Sequence, residues 1–225
     1  YHETIRNVVV GFGTIFNKQL KTKSFFASNQ LFINEDQIVF NIRNSKHEAY
    51  GNNISWNLGY LKPIVEIWTL SLQAGEAFRS PNSSELFGFG ANKDLKPETS
   101  KSFELNITRK IGSEKETSIV FFNNKIENLI NYDYLDFILK NIEKTCTKGV
   151  EIRHRWSNNI MDGNFILRNQ LPEDEEGNIL LRRSRKSISL NIYKDFVKSS
   201  LYINLSSFDK RKDFGEKDLP GYFLL

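Results

Sequence analysis

Hydrophobic side chains in this chain recur at every second residue, a period that leaves few folds open. Over 53–60, Ile54, Trp56, Leu58 and Tyr60 share one face, and Asn53, Ser55, Asn57 and Gly59 share the other. Over 102–108, Phe103, Leu105 and Ile107 oppose Ser102, Glu104, Asn106 and Thr108. Ile188, Leu190 and Ile192 likewise oppose Ser187, Ser189 and Asn191, while Leu201, Ile203 and Leu205 oppose Ser200, Tyr202, Asn204 and Ser206. In 149–156, Val150 and Ile152 oppose Glu151, Arg153 and Arg155. Further strands fit 5–17, 25–33, 37–43, 66–78, 116–124, 137–144 and 164–170, with another starting at 223. The total is about twelve strands, with almost no helical pattern competing.

Alternation alone also fits a soluble sandwich, whose strands bury one face. Two features favour a barrel in lipid. The polar faces carry Glu104, Glu151, Arg153 and Arg155, which a wet interior tolerates and a dry core does not. The apolar faces carry aromatics near strand ends, at Trp56, Tyr60, Trp68 and Trp156, as interfacial girdles require. The connections also alternate in length. Short turns at 33–36, 110–115 and 156–159 contrast with polar loops expected at 44–52, 79–101, 171–183 and 208–221. Short turns on one rim and long loops on the other is the outer-membrane pattern.

The composition excludes other classes. The 225 residues are 39% hydrophobic and 26% charged, which suits a folded protein. The single Cys146 forms no internal disulfide and supplies no thiolate cluster. The net charge of +4 is scattered, and the basic group Arg182, Arg183, Arg185 and Lys186 follows the acidic run Glu173 to Glu176. Adjacent blocks of opposite sign read as a solvated loop, so no nucleic-acid partner is expected. No apolar run approaches the roughly 18 residues of a spanning helix. No signal peptide precedes the first strand region, and the chain is expected to begin mid-protein.

Catalytic chemistry finds no support. His2, His47 and His154 share no metal-ligand spacing and no nucleophile context. The acidic run lacks the oxygen-ligand spacing of a calcium site, and Gly88-x-Gly90 lacks the strand–helix context of a phosphate loop and reads as loop flexibility. No enzyme activity, cofactor or metal is expected.

The longest connection carries a signature. Gly75, Phe78-Arg79-Ser80-Pro81, Glu85-Leu86-Phe87-Gly88 and Asn92 through Glu98 follow one another in order. Pro81 and Pro97 belong at strand ends, because each lacks a backbone donor. A loop this long in a compact protein is usually functional or disordered. The string resembles the signature of the TonB-dependent outer-membrane transporters. The resemblance continues through Phe121 to Ile130, Thr147-Lys148-Gly149-Val150-Glu151, Leu180-Leu181-Arg182-Arg183 and Leu219-Pro220-Gly221-Tyr222-Phe223, and so covers nearly the whole chain.

The resemblance implies an all-β fold: a transmembrane antiparallel β-barrel, of which residues 1–225 supply about twelve of a family-type 22 strands. It implies a barrel domain truncated at both ends, with the plug domain absent. It implies a Gram-negative outer-membrane location and, as partners, TonB, outer-membrane lipid and a small-molecule ligand. The likeness is greatest to the family's cobalamin (vitamin B12) carriers, through 124–133 and the Leu-Leu-Arg-Arg element. On that likeness Arg182 and Phe214 are the substrate-binding residues, Phe214 falling near a ligand-contacting Tyr of those carriers; in the signature, Arg79 and Glu98 fix strand ends. A ferric siderophore or haem stays open as ligand, as do a passive porin or adhesin barrel and a soluble carbohydrate-binding sandwich.

Overall fold

The computed structural model describes the backbone of residues 2–11 and 14–225, and the side chains from Gln19 onward except those of residues 143 and 216. Twelve antiparallel strands form one sheet in chain order. They are β1 (His2–Gly11), β2 (Thr14–Ile33), β3 (Asp36–His47), β4 (Gly51–Val65), β5 (Trp68–Arg79), β6 (Glu98–Ile111), β7 (Lys115–Asp133), β8 (Ile138–Ser157), β9 (Asp162–Asp174), β10 (Lys186–Phe196), β11 (Ser199–Phe208) and, at the far edge, β14 (Tyr222–Leu224). A two-stranded ribbon, β12 (Arg211–Lys212) with β13 (Asp218–Leu219), stands in the last loop. The only helix among the described residues longer than a single 3-10 turn is α1 (Ser83–Phe87). Every neighbouring pair is a simple up-and-down hairpin, the topology of a barrel wall.

The register joins the alternating faces of separate strands into two continuous surfaces. Tyr60, Leu72, Leu105, Phe121 and Val150 are successive partners across β4 to β8. That apolar face has nothing packed over it: Phe103 is 50% and Ile188 46% exposed, and Leu105 and Ile203 are only half-buried. Apart from Pro81 and Pro172, the buried apolar side chains among the described residues are Leu86, Leu95 and Val120, too few for the dry centre of a sandwich. On the opposite face, Glu151 is 2% exposed and is held by Arg153 and, at 2.5 Å, by Arg168. The greasy side therefore faces outward and the charged side inward, as a barrel in lipid requires.

Several connections differ from expectation. Residues 44–52 are not a long loop: β3 runs to His47, which pairs with Gly51 across a tight turn. Residues 5–17 divide between β1 and β2, and the positions between those strands lie outside the described residues. The strand expected at 137–144 and the one at 149–156 are a single 20-residue strand, β8. Strand β9 reaches Asp174, so 171–174 belong to the sheet. Residues 44–47 are polar, and cross-strand hydrogen bonding extended the sheet through them beyond the reach of the apolar period. The short turns at one rim (34–35, 66–67, 112–114, 158–161 and 197–198) sort as expected, whereas the other rim holds the larger connections 80–97, 175–185 and 209–221 together with the tight turns 48–50 and 134–137.

Candidate functional site

The signature connection between β5 and β6 is an ordered strap. Asn82 opens α1 with a capping box: its Oδ1 accepts the Glu85 N–H at 2.9 Å, and Glu85 Oε2 accepts the Asn82 N–H at 2.8 Å. Arg79 grips Glu98 with two parallel bonds of 2.6 and 2.7 Å and reaches Glu85 at 3.0 Å. Glu98 also accepts the Ile130 N–H at 2.8 Å. Burial pushes the Glu98 carboxyl up, but Arg79 and the Ile130 amide outweigh it and hold the group below the usual range. The Arg79 guanidinium is raised correspondingly, first by its bond to Glu98. Leu86 and Leu95 are buried beneath.

The strap then crosses to the β7–β8 hairpin. Strand β9 pairs with β8 only up to Thr145, which leaves the outer part of β8 without a strand neighbour on that side. The strap takes those groups. Leu139 N–H donates to Gly90 at 2.7 Å, Asn92 Nδ2 donates to the Leu139 carbonyl at 3.0 Å, and Asn141 exchanges bonds of 2.8 and 3.0 Å with Lys96. Gly90 is thus not a flexible spacer. Its φ is +63°, and a Cβ there would lie 2.7 Å from Tyr132 Cε2. Pinned this way, the hairpin projects past its neighbours and carries Tyr132 and Tyr134 at its tip. Asp133 folds that tip by accepting Leu135 N–H and Lys140 Nζ, each at 2.8 Å.

Against this tip stand the two residues singled out from the sequence. Arg182 adopts φ +59° and donates its N–H to the Lys212 carbonyl at 2.7 Å, which ties the loop after β9 to β12. Its guanidinium lies 5.2 Å from the Phe214 ring centre and 5.5 Å from that of Tyr134. The two rings meet at 4.3 Å, tilted by 54°. Arg182 Nε donates to Asp213 at 3.0 Å, and Nη1 to the Tyr134 hydroxyl at 3.4 Å. The bond from Arg182 holds Asp213 below its usual range and raises Arg182 in turn, so the pair is fully ionised near neutrality. Beside it opens a cleft of about 380 Å3 lined by Asn131, Tyr132, Tyr134, Asn141 and Phe214, among others. Asp174, from the acidic run, accepts the Glu176 and Asn178 amides at 3.0 and 2.8 Å and so folds a turn.

Sequence reasoning named Arg182 and Phe214 but missed Tyr134 and Asp213. Tyr134 fell between two recognised strands, and Asp213 counted only as the neighbour of Phe214. A pairing signal existed in retrospect, an Arg and an Asp on loops at one rim, but their separation of 31 residues hides it locally.

Residues 3–225 match the family described as TonB dependent receptor-like, beta-barrel. The chain belongs to that family. Among curated relatives it is 27% identical over 165 residues to the vitamin B12 transporter BtuB of Vibrio vulnificus (strain CMCP6), covering 72% of this chain and 26% of the relative. It is 23% identical over 209 residues to BtuB of Photobacterium profundum, covering 86% and 34%. This member thus spans about a quarter to a third of the length of the curated relatives it matches. Its fold is that of solved family receptors. The ferric enterobactin receptor PfeA of Pseudomonas aeruginosa superposes with a TM-score of 0.74 at 18% identity, over 95% of this chain and 38% of that one. The siderophore receptor PirA of Acinetobacter baumannii gives 0.74 at 16% identity, over 92% and 39%. The barrel wall expected from alternation is the fold of this family.

Proposed function

We propose that this chain is part of the wall of a Gram-negative outer-membrane transporter that takes up a scarce, bulky nutrient, with cobalamin as the substrate. The observation that carries the substrate is the cradle of Arg182, Tyr134 and Phe214 with Asp213. Two ring faces offer packing area, and Arg182 brings charge already balanced by Asp213. Asn131 adds an amide at the cleft. Such a surface suits a large, weakly charged ligand edged with amides, as a corrinoid is, better than a highly anionic metal complex. The curated relatives named above, both vitamin B12 transporters, support the same choice.

In this reading no bond of the ligand is made or broken. The long-loop rim faces the medium and captures the ligand. A barrel this wide cannot be filled by its own side chains, so a plug from another part of the protein closes it. TonB rearranges that plug, drawing on the inner-membrane proton gradient. The rigid strap keeps the β7–β8 tip at a fixed distance from the Arg182 loop, so the cradle is pre-organised before the ligand arrives.

The test is radiolabelled cobalamin uptake by a strain that depends on the full-length protein. Uptake that requires TonB supports the proposal. Uptake of a ferric siderophore with none of cobalamin replaces the substrate, and TonB-independent flux replaces the mechanism with a passive pore.

A further inference from the structure

The inward wall of β2 to β5 carries almost no charge. Between the two rims, from Thr22 to Ala77, Arg43 is the one guanidinium, ammonium or carboxylate that the register turns inward among the described residues. Arg43 pairs with Ser55, Asn41 with Asn57, Asn57 with Gly75 and Gly75 with Ser102, which lies on the polar face. Arg43 Nε donates to Ser45 Oγ at 3.1 Å and Nη2 to Ser24 Oγ at 3.0 Å, and those two oxygens lie 2.9 Å apart. The hydroxyl pair fixes one edge of the guanidinium. Its Nη1 end donates to no described residue, and no described carboxylate reaches it.

Beside Arg43 the wall is hollow. A cleft of about 360 Å3, near the lower end of small-molecule sites, is lined by Phe26, Asn41, Arg43, Ser55, Asn57 and Gly75, among others. Its polar groups are mostly donors. Ser28 Oγ donates to Asn41 Oδ1 at 2.6 Å, which occupies that amide's acceptor and leaves its N–H groups. Gly75 makes room for Asn57, since a Cβ there would stand 3.2 Å from Asn57 Nδ2 and 2.9 Å from the Trp56 carbonyl. Ser55 and Asn57 make no side-chain hydrogen bond among the described residues. Glu76 borders the cleft but belongs to the outward face, in register with Lys101. A fixed guanidinium beside amides and hydroxyls, with no carboxylate to balance it, suits a phosphate or carboxylate.

The rim cradle differs in this respect. Arg182 is already balanced by Asp213, so a negative charge on the solute finds no counter-ion there. Arg43 supplies one lower on the inner wall, four positions inside the end of β3 at the long-loop rim. We infer that this cleft is a second, transit site, which holds a single anionic group, a phosphodiester or carboxylate, of the nutrient as it passes through the barrel. At that volume the cleft takes one arm of a bulky solute, not the whole. The inference rests on the uptake reading above and deepens it.

The test compares two corrinoids in a strain that depends on the full-length protein: cobalamin, which carries a phosphodiester, and cobinamide, which lacks it. Arg43→Gln should slow uptake of radiolabelled cobalamin about tenfold relative to cobinamide. Arg43→Lys should recover most of that loss. Equilibrium binding of cobalamin to isolated outer membranes, set by the rim cradle, should be the same in both variants as in the unaltered protein. Unchanged uptake of both corrinoids, or equal loss of both, would overturn the transit site. Leakage of small solutes without TonB would overturn it too, and would give Arg43 to a carboxylate of the plug. If Arg43→Gln fails to assemble, Asn57→Ala is read by the same ratio, with no selective loss counting against the proposal. Uptake of neither corrinoid by the unaltered protein would instead overturn the substrate reading, and the transit site with it.

Discussion

Arg182 is held in place by groups from two other loops, and its environment decides what it can do. Asp213 takes its Nε–H and Tyr134 and Phe214 cover it, so it acts as a fixed, charge-balanced donor. Arg182→Ala should weaken ligand binding by about tenfold in an equilibrium binding assay on the full-length protein. Asp213→Asn should weaken it too, because the guanidinium loses the carboxylate charge that balances and orients it. Asp213 is lowered and Arg182 raised, so neither titrates between pH 5 and 8, and binding should be flat across that range. A midpoint near pH 6.5 would point to a histidine in the site and contradict this assignment. Gly90 is the other single position with large leverage. Gly90→Ala combines a left-handed φ with a Cβ driven against Tyr132, and should cost about 1–2 kcal/mol and speed amide exchange at Leu139.

At the scale of elements, the strap and the hairpin it pins behave as one piece. A strand edge left open is a liability, and the strap covers the outer edge of β8 where β9 has ended. Arg79 is the clasp, joining β5, α1 and β6 through Glu98 and Glu85. Arg79→Ala leaves a mostly buried carboxylate without its bidentate partner, and should lower stability by about 2 kcal/mol. Limited proteolysis would then cut within 80–97 while the barrel strands stay protected. Because Glu98 is lowered in the folded protein, its contribution is present above the usual carboxyl range and is lost as pH falls through the folded value. The strap should therefore hold at neutrality and loosen only in acid, which hydrogen exchange at Ile130 would report.

For the whole molecule, the deciding feature is that adjacent residues face different solvents. Leu105 and Asn106 are neighbours near the middle of β6. Leu105→Arg places a charge in hydrocarbon and should destabilise the assembled barrel by about 2–4 kcal/mol. Asn106→Arg places the same charge in the aqueous interior and should cost less than about 1 kcal/mol. Refolding of the full-length protein into vesicles, titrated with denaturant, separates the two. Equal effects would remove the inside–outside assignment on which the transport proposal rests.

The strand order, the outward apolar face and the family were legible in the chain itself. Period-2 alternation in 53–60, 102–108 and 187–192 is a property of consecutive residues, and the signature from Gly75 to Glu98 is one continuous string. What needed the folded protein was everything made between distant segments. Stretches such as the polar 44–47 and the mixed 129–133 joined the sheet because a partner strand lay beside them, which no local pattern records. The apparent freedom of Gly90 became a close packing contact only once the β7–β8 hairpin stood against it. Arg182, Asp213 and Tyr134, up to 79 residues apart, met because the register of β7 through β11 brings their loops to one rim. Local periodicity follows from the pleat of a single strand, whereas a site built from loops follows from how all the strands pair.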